Sequence, residues 1–261
     1  MHIIVCIKQI PEIGQLKIDP DNGHLIREGV PSIINPEDKN AIEEAVRLKE
    51  EHGGKITVMT MGPKQAEDAL HEALAIGADE AILLSDDAFR EADTWATSYT
   101  LSRAIKKIGS FEMILCGREA LDGNTGHVGP QLAEFLDLPS IPYAQKIVME
   151  GDIVKVDSAT EDGYRVVETR LPVMITVTKD LNTPHIPTLF DMTDTFEKDV
   201  TVWRVDDLGV DKERVGIKGS FTRIHNLFTP VLFKESVKIL EGNLNSICDK
   251  VVVILKKSNL L

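Results

Sequence analysis

The segment CGREALDGNTGHVGPQL, residues 116–132, concentrates the residues that could do chemistry. Gly117, Gly123, Gly126 and Gly129 let backbone approach a ligand, Asn124 and Thr125 offer donors, and the chain then enters a helix whose first N–H groups and dipole favour an anion. A phosphate or pyrophosphate suits such a loop. A glycine-rich turn that merely closes a helix onto a sheet would read the same way, and spacing does not separate the two. Asn35-Pro36-Glu37-Asp38 also opens a helix after an apolar run; its plain reading is an N-cap, with Asn accepting from a free N–H, Pro lacking one, and Glu at the positive dipole end. Cys6 and Met61-Gly62 end apolar runs of their own and read singly as core residues. No Ser/His/Asp set stands out, His127 reads as an exposed residue of a helix start, and the adjacent pairs Glu43-Glu44 and Asp86-Asp87 read as solvated faces. Any redox or transfer chemistry must therefore come from a cofactor.

The elements that position these residues alternate. HIIVCI (2–7) is a short apolar run of the kind buried on both faces of a parallel sheet. A hairpin excursion turning at Asn22-Gly23 follows, then a helix from Pro36 to about His52 stopped by Gly53-Gly54. The rhythm repeats with strand KITVMTMG, a helix over 63–76, strand AILLS, a helix over 93–108, strand EMILC and a helix from about His127 to Phe135. Strands separated by helices imply a Rossmann-like α/β fold with a parallel sheet, which would bring Cys6, Met61 and the glycine loop to one rim. After Pro139 the period falls to two, with turns at Gly151-Asp152 and Asp162-Gly163, predicting an antiparallel extension that runs through PVMITV. Residues 181–230 read as a long irregular stretch that wraps something, and 233–261 as a helix, a turn and a short apolar element VVVIL. The expected division is a nucleotide-binding domain over 1–180 and a docking loop with a C-terminal arm over 181–261.

A formal charge of −13 argues against a nucleic-acid backbone as ligand, and Trp95 and Trp203 lack aromatic companions for base stacking. Cys6, Cys116 and Cys248 lie far apart without CxxC or nearby His, so a reducing cytoplasmic setting is expected, without a disulfide framework or zinc site. No stretch approaches the length of a membrane span.

Four stretches, IIVCIKQIP, INPEDKNAIEEAVRLKE (34–50), ITVMTMGPKQAEDALHEALAIGADEAILL (56–84) and ILCGREALDGNTGHVGPQLAEFL (114–136), resemble the beta subunit of electron-transfer flavoproteins over nearly the whole chain. The resemblance implies an adenine-nucleotide rim made of Cys6, Lys8, Asn35 to Asp38, Met61, Gly62, Gly117, Arg118, and Asp122 through Gly123, Asn124, Thr125, Gly126, His127 and Val128 to Gly129. Ordinary members hold AMP as a structural ligand, whereas the electron-bifurcating group holds FAD that takes hydride from NADH. DGNTGHVGP resembles that group's DGDTAQVGP, departing at Asn124, Gly126 and His127, and GSFTRIHNLFTP (219–230) resembles its GSPTxVxxxFTP stretch near the flavin, which adds Gly219, Ser220 and Thr222. The implied partners are an alpha subunit with a second FAD, a flavin-dependent dehydrogenase, and ferredoxin or flavodoxin. LNTPHIPTLFDM (181–192) is similar to the family's dehydrogenase-docking loop with Leu189 as apolar anchor; the Lys-rich run that often follows is replaced by TDTFEKD.

Overall fold

The computed structural model describes residues 1–12, 17–18, 25–26, 31–195, 198–223, 225, 239–258 and 260. The chain divides into two compact units, Met1–Asn226 and Leu227–Leu261.

The first unit begins with β1 (His2–Cys6), β2 (Gln9–Pro11), β3 (Lys17–Ile18), β4 (Leu25–Ile26) and β5 (Ser32–Ile34). There follow α1 (Pro36–His52), β6 (Lys55–Met61), α2 (Glu67–Ile76), β7 (Glu80–Leu84), α3 (Thr94–Ile108), β8 (Met113–Gly117) and α4 (Val128–Leu136). Then come β9 (Ser140–Glu150), β10 (Ile153–Thr160), β11 (Gly163–Arg170), β12 (Val173–Val177), α5 (Leu189–Asp194), β13 (Val200–Trp203) and α6 (Gly216–Gly219). β3 and β4 pair antiparallel, as the excursion hairpin requires; its turn at Asn22-Gly23 lies outside the described residues.

One nine-stranded sheet runs in the order β11-β10-β9-β12-β8-β1-β6-β7-β13. Neighbours from β9 to β13 along that order are parallel, and β10 and β11 continue it antiparallel beyond β9. Alternate residues of β1 face opposite layers. Ile3 and Val5 join Ile42, Ala45 and Leu48 of α1 and Leu70 of α2, while Ile4 and Cys6 join Ile105 of α3 and Leu132 of α4.

Three expectations change. PVMITV is not part of the antiparallel extension: β12 lies between β9 and β8, parallel to both, and all its residues are buried. An unbroken apolar run suits a strand covered on both faces, and that burial outweighs the antiparallel rhythm of the strands before it. The stretch after 181 is not wholly irregular, since β13 pairs with β7 at the sheet edge. VVVIL is not a separate element; it lies inside α7 (Leu244–Lys257), which in the second unit starts with the Asn243 side chain accepting from the Ser246 amide.

Candidate nucleotide site

From β1 the chain steps to β6 and β7 on one side, and β8 then returns to the other side of β1. The carboxyl ends of β1 and β8 thus border the topological switch point, where open α/β sheets leave a crevice for ligands. Cys6 and Cys116 are register partners there and both are buried. Burial, with the Asp38 charge added, pushes the Cys6 thiol up to about 12, and burial raises Cys116 as well. Both thiols therefore stay protonated and serve as packing.

Asp38 joins the two strand ends. Its Oδ2 accepts from the Lys8 amide and its Oδ1 from the Gly117 amide, each at 2.8 Å. Burial lifts this carboxyl to about 7 against the pull of those two amides. Gly117 is required by that contact, because a Cβ there would stand 2.6 Å from Asp38 Oδ1 and 2.9 Å from Glu37 Cβ. Asn35, only 1% exposed, makes no side-chain cap on α1; its Nδ2 donates to the Glu119 carbonyl at 2.9 Å and its Oδ1 accepts from the Leu121 amide at 3.1 Å. The N-cap expected of Asn35 is thus replaced by a strut under the glycine loop.

The loop's charges are matched in pairs. Lys8 Nζ lies 2.7 Å from both Asp122 oxygens, and the Arg118 guanidinium sits 2.7 Å from Glu119 and 3.3 Å from Glu37. Arg118 Nε is buried without a partner. Glu37 also accepts from the Glu119 amide at 3.2 Å, and burial raises its carboxyl despite Arg118. The loop turns where the Gly123 and Asn124 amides donate to the Ala120 carbonyl at 3.1 and 2.7 Å. Asn124 and Gly126 carry positive φ of 50° and 64°, a conformation open to Asn and free for Gly.

Past the turn, the amides of Thr125, Gly126, His127, Val128 and Gly129 have no hydrogen-bond partner among the described residues. Pro130 follows without an amide to orphan. At Gly123 an added Cβ would meet nothing within 4 Å, and at Gly126 the nearest atoms, Arg118 O and Tyr143 Oη, are 3.9 Å off. A lip of free N–H groups bordered by open space, at a helix start, fits the oxygens of a phosphate or diphosphate. Gly129 has a different job: its Cβ would stand 2.4 Å from Thr176 Cγ2, so it seats α4 on β12.

Met61 ends β6, beyond β1 from β8, and the amide of Gly62 just past it donates to the Leu84 carbonyl at 3.1 Å. Ser220 and Thr222 lie at the start of α3, hydrogen-bonded to Asp93, and the Gly219 amide beside them donates to the Val215 carbonyl at 3.1 Å. Part of the 219–230 stretch, residues 224 and 226–230, lies outside the described residues, as do 196 and 197 of TDTFEKD. Sequence reasoning passed over Glu119, Asp93 and Tyr143. Asp93 has the capping pattern before α3 that could have exposed it, whereas Tyr143, at φ 58° and with its hydroxyl beside Gly126, carries no signal in its neighbours. Among the described residues no helix is long and apolar enough to cross a membrane, and no group of three or more His, Cys, Asp and Glu could hold a metal.

A doubly wound sheet with a lip of free amides at its switch point is the α/β arrangement that suits a nucleotide. Residues 22–208 match the family model of the electron transfer flavoprotein domain. The chain is 47% identical over 262 residues to the electron transfer flavoprotein subunit beta of Thermoanaerobacterium thermosaccharolyticum, covering 100% of both. It is 48% identical over 252 residues to the same subunit of Clostridium acetobutylicum, covering 97% of this chain and 93% of that one. With the caffeyl-CoA reductase-Etf complex subunit CarD of Acetobacterium woodii it shares 43% over 262 residues, covering 100% of both. The chain belongs to the electron transfer flavoprotein family, among its beta subunits.

Proposed function

We propose that this beta subunit holds FAD along the Thr125–Gly129 lip and, paired with an alpha subunit carrying a second flavin, bifurcates electrons from NADH. When bound, FAD would supply hydride acceptance from NADH and single-electron delivery, one toward the alpha-subunit flavin and a dehydrogenase and one toward ferredoxin or flavodoxin. The observation that carries this reading is the run of five consecutive amides, Thr125 to Gly129, without a partner among the described residues at the switch point between β1 and β8.

Around that lip the chain's own residues have definite tasks. Asp38 and Asn35 hold the loop to the strand ends, Lys8 neutralises Asp122, and Arg118 neutralises Glu37 and Glu119, so that a diphosphate meets donors and not bare carboxylates. FAD rather than AMP is favoured by DGNTGHVGP and GSFTRIHNLFTP and by the family likeness to a CoA-reductase complex subunit. Residues from 181 onward would carry the partner contacts, with Leu189 of α5 as anchor, and the free cysteines Cys6, Cys116 and Cys248 suit a cytoplasmic site of action.

Acid release of nucleotides from the purified two-subunit complex, quantified by absorbance after chromatography, tests this. The reading expects about two flavins per complex. About one flavin with one AMP would instead assign the lip to a structural mononucleotide and overturn it.

A further inference from the structure

Outside the lip, the Asp93 carboxylate accepts four hydrogen bonds. Its Oδ1 accepts from the Ala96 amide at 3.0 Å and so caps α3. Its Oδ2 accepts three more bonds, from the Phe221 amide at 2.8 Å, the Thr222 amide at 2.9 Å and Thr222 Oγ1 at 3.1 Å. The exchange is reciprocal: the Asp93 amide donates at 2.8 Å to Ser220 Oγ, which itself donates at 2.8 Å to the Gly216 carbonyl. Burial works against this carboxyl's charge, but the bonds from Ala96, Thr222 and Phe221 outweigh it and hold the group below the ordinary carboxylate range.

The clasp is close to the lip. Trp95, in the first turn of α3, carries the Phe221 ring at 5.8 Å and the Phe135 ring of α4 at 4.7 Å. Ser98 Oγ, further along α3, lies 2.7 Å from the Thr94 carbonyl and 3.1 Å from the carbonyl of Val128, one of the lip residues. Residues 221–223 are exposed, and the first unit's apolar core includes nothing beyond Val215 among the described residues. Residues 220–222 are therefore held by Asp93 and the Trp95 ring and not by core burial, while the Gly219 amide donates to the Val215 carbonyl at 3.1 Å.

We propose that Asp93 is a positioning residue for the redox rim, a clasp that holds residues 219–222 beside the cofactor lip and thereby sets how tightly the flavin is kept. It acts through Ser220, Phe221 and Thr222. This rests on the FAD reading above.

Asp93→Asn separates the clasp from the cap. Asn caps helices as well as Asp, so Ala96 keeps an acceptor, but the amide nitrogen then faces the N–H groups of Phe221 and Thr222. In the two-subunit complex, deuterium uptake by the peptide spanning 219–222 should quicken by about tenfold or more, while the α3 peptide changes little. The FAD dissociation constant should rise about tenfold. Thr222→Val removes only the hydroxyl bond and should move both readouts the same way by less. Should α3 itself lose protection in the Asp93 variant, Thr222→Val carries the test alone. Unchanged uptake over 219–222 overturns the clasp, and faster uptake with an unchanged FAD dissociation constant overturns the positioning role. A wild-type complex whose beta subunit holds no flavin instead overturns the reading beneath it and the positioning role together, and the uptake measurement then still decides the clasp by itself.

Discussion

At the scale of single residues, Asp38 shows two demands set against each other. Two strand-end amides need an acceptor, and a carboxylate supplies two, yet the position is buried and burial disfavours the charge. Its pKa is raised from 3.8 to about 7 in the fold. Below the unfolded value both states are protonated and the fold keeps its full advantage. As the pH rises toward 7 the unfolded chain releases this proton while the folded one retains it, so the stability Asp38 contributes is lost progressively until the folded group ionises too. An Asp38→Asn chain lacks that titration. The wild-type stability measured relative to it should fall by on the order of 4 kcal/mol at most between about pH 4 and pH 8. Urea midpoints at the two pH values check this, and a difference that stays level or grows would contradict the burial argument.

At the scale of elements, glycines of one loop divide into those that seat a helix and those that leave room. Gly129 lies under α4, where a Cβ would also crowd Met174 Cε at 3.2 Å and Cys116 Sγ at 3.3 Å. The atom nearest that Cβ is a methyl of Thr176, which is itself buried, so α4 has to shift. Gly129→Ala should cost about 1–3 kcal/mol of stability. Gly123, with open space beyond it, should tolerate Ala within about 0.5 kcal/mol yet lose flavin, because the methyl would occupy the approach to the lip. Thermal midpoints and the flavin-to-protein absorbance ratio of the two purified complexes give the comparison. A stable Gly129→Ala complex, or a Gly123→Ala complex with full flavin, would undo the division of roles.

At the scale of the whole molecule, the conspicuous exposed apolar group lies around α5. Leu189 is 77% exposed and Phe190 82%, on a helix started by the Thr188–Asp191 capping box. The loop leading to it is tied to α1 by Asn40 donating to the Asn182 carbonyl at 2.8 Å and by His185 Nδ1 at 2.6 Å from Glu43. Apolar side chains held outward from a fixed base are what a partner's pocket requires of an anchor. Replacing Leu189 and Phe190 together with Ala should leave the thermal midpoint unchanged, since neither side chain is buried. On the proposed function, the apparent KM for the dehydrogenase should rise about tenfold or more while reduction of the complex by NADH keeps its rate. An unaltered KM would place the docking surface elsewhere.

Element types were legible in the residues because burial writes itself locally: β1, β6, β7 and β8 are apolar runs, and the helices between them carry one-sided stripes. The glycine loop and its helix start were legible for the same reason, since positive φ and free N–H groups are properties of a few adjacent residues. Partnership was not. Asn35 reads as a cap but reaches Glu119 and Leu121, 84 and 86 residues away, and Asp93, at the start of a helix over 93–108, also binds Thr222, 129 residues on. Likewise the apolar run of β12 does not say that it enters the sheet beside β8, nor do the four residues of β13 announce an edge strand. Side-chain propensity acts over one or two turns of chain, whereas the choice of strand neighbours, and with it the acceptor each buried donor meets, is settled only when distant segments bury their surfaces against one another.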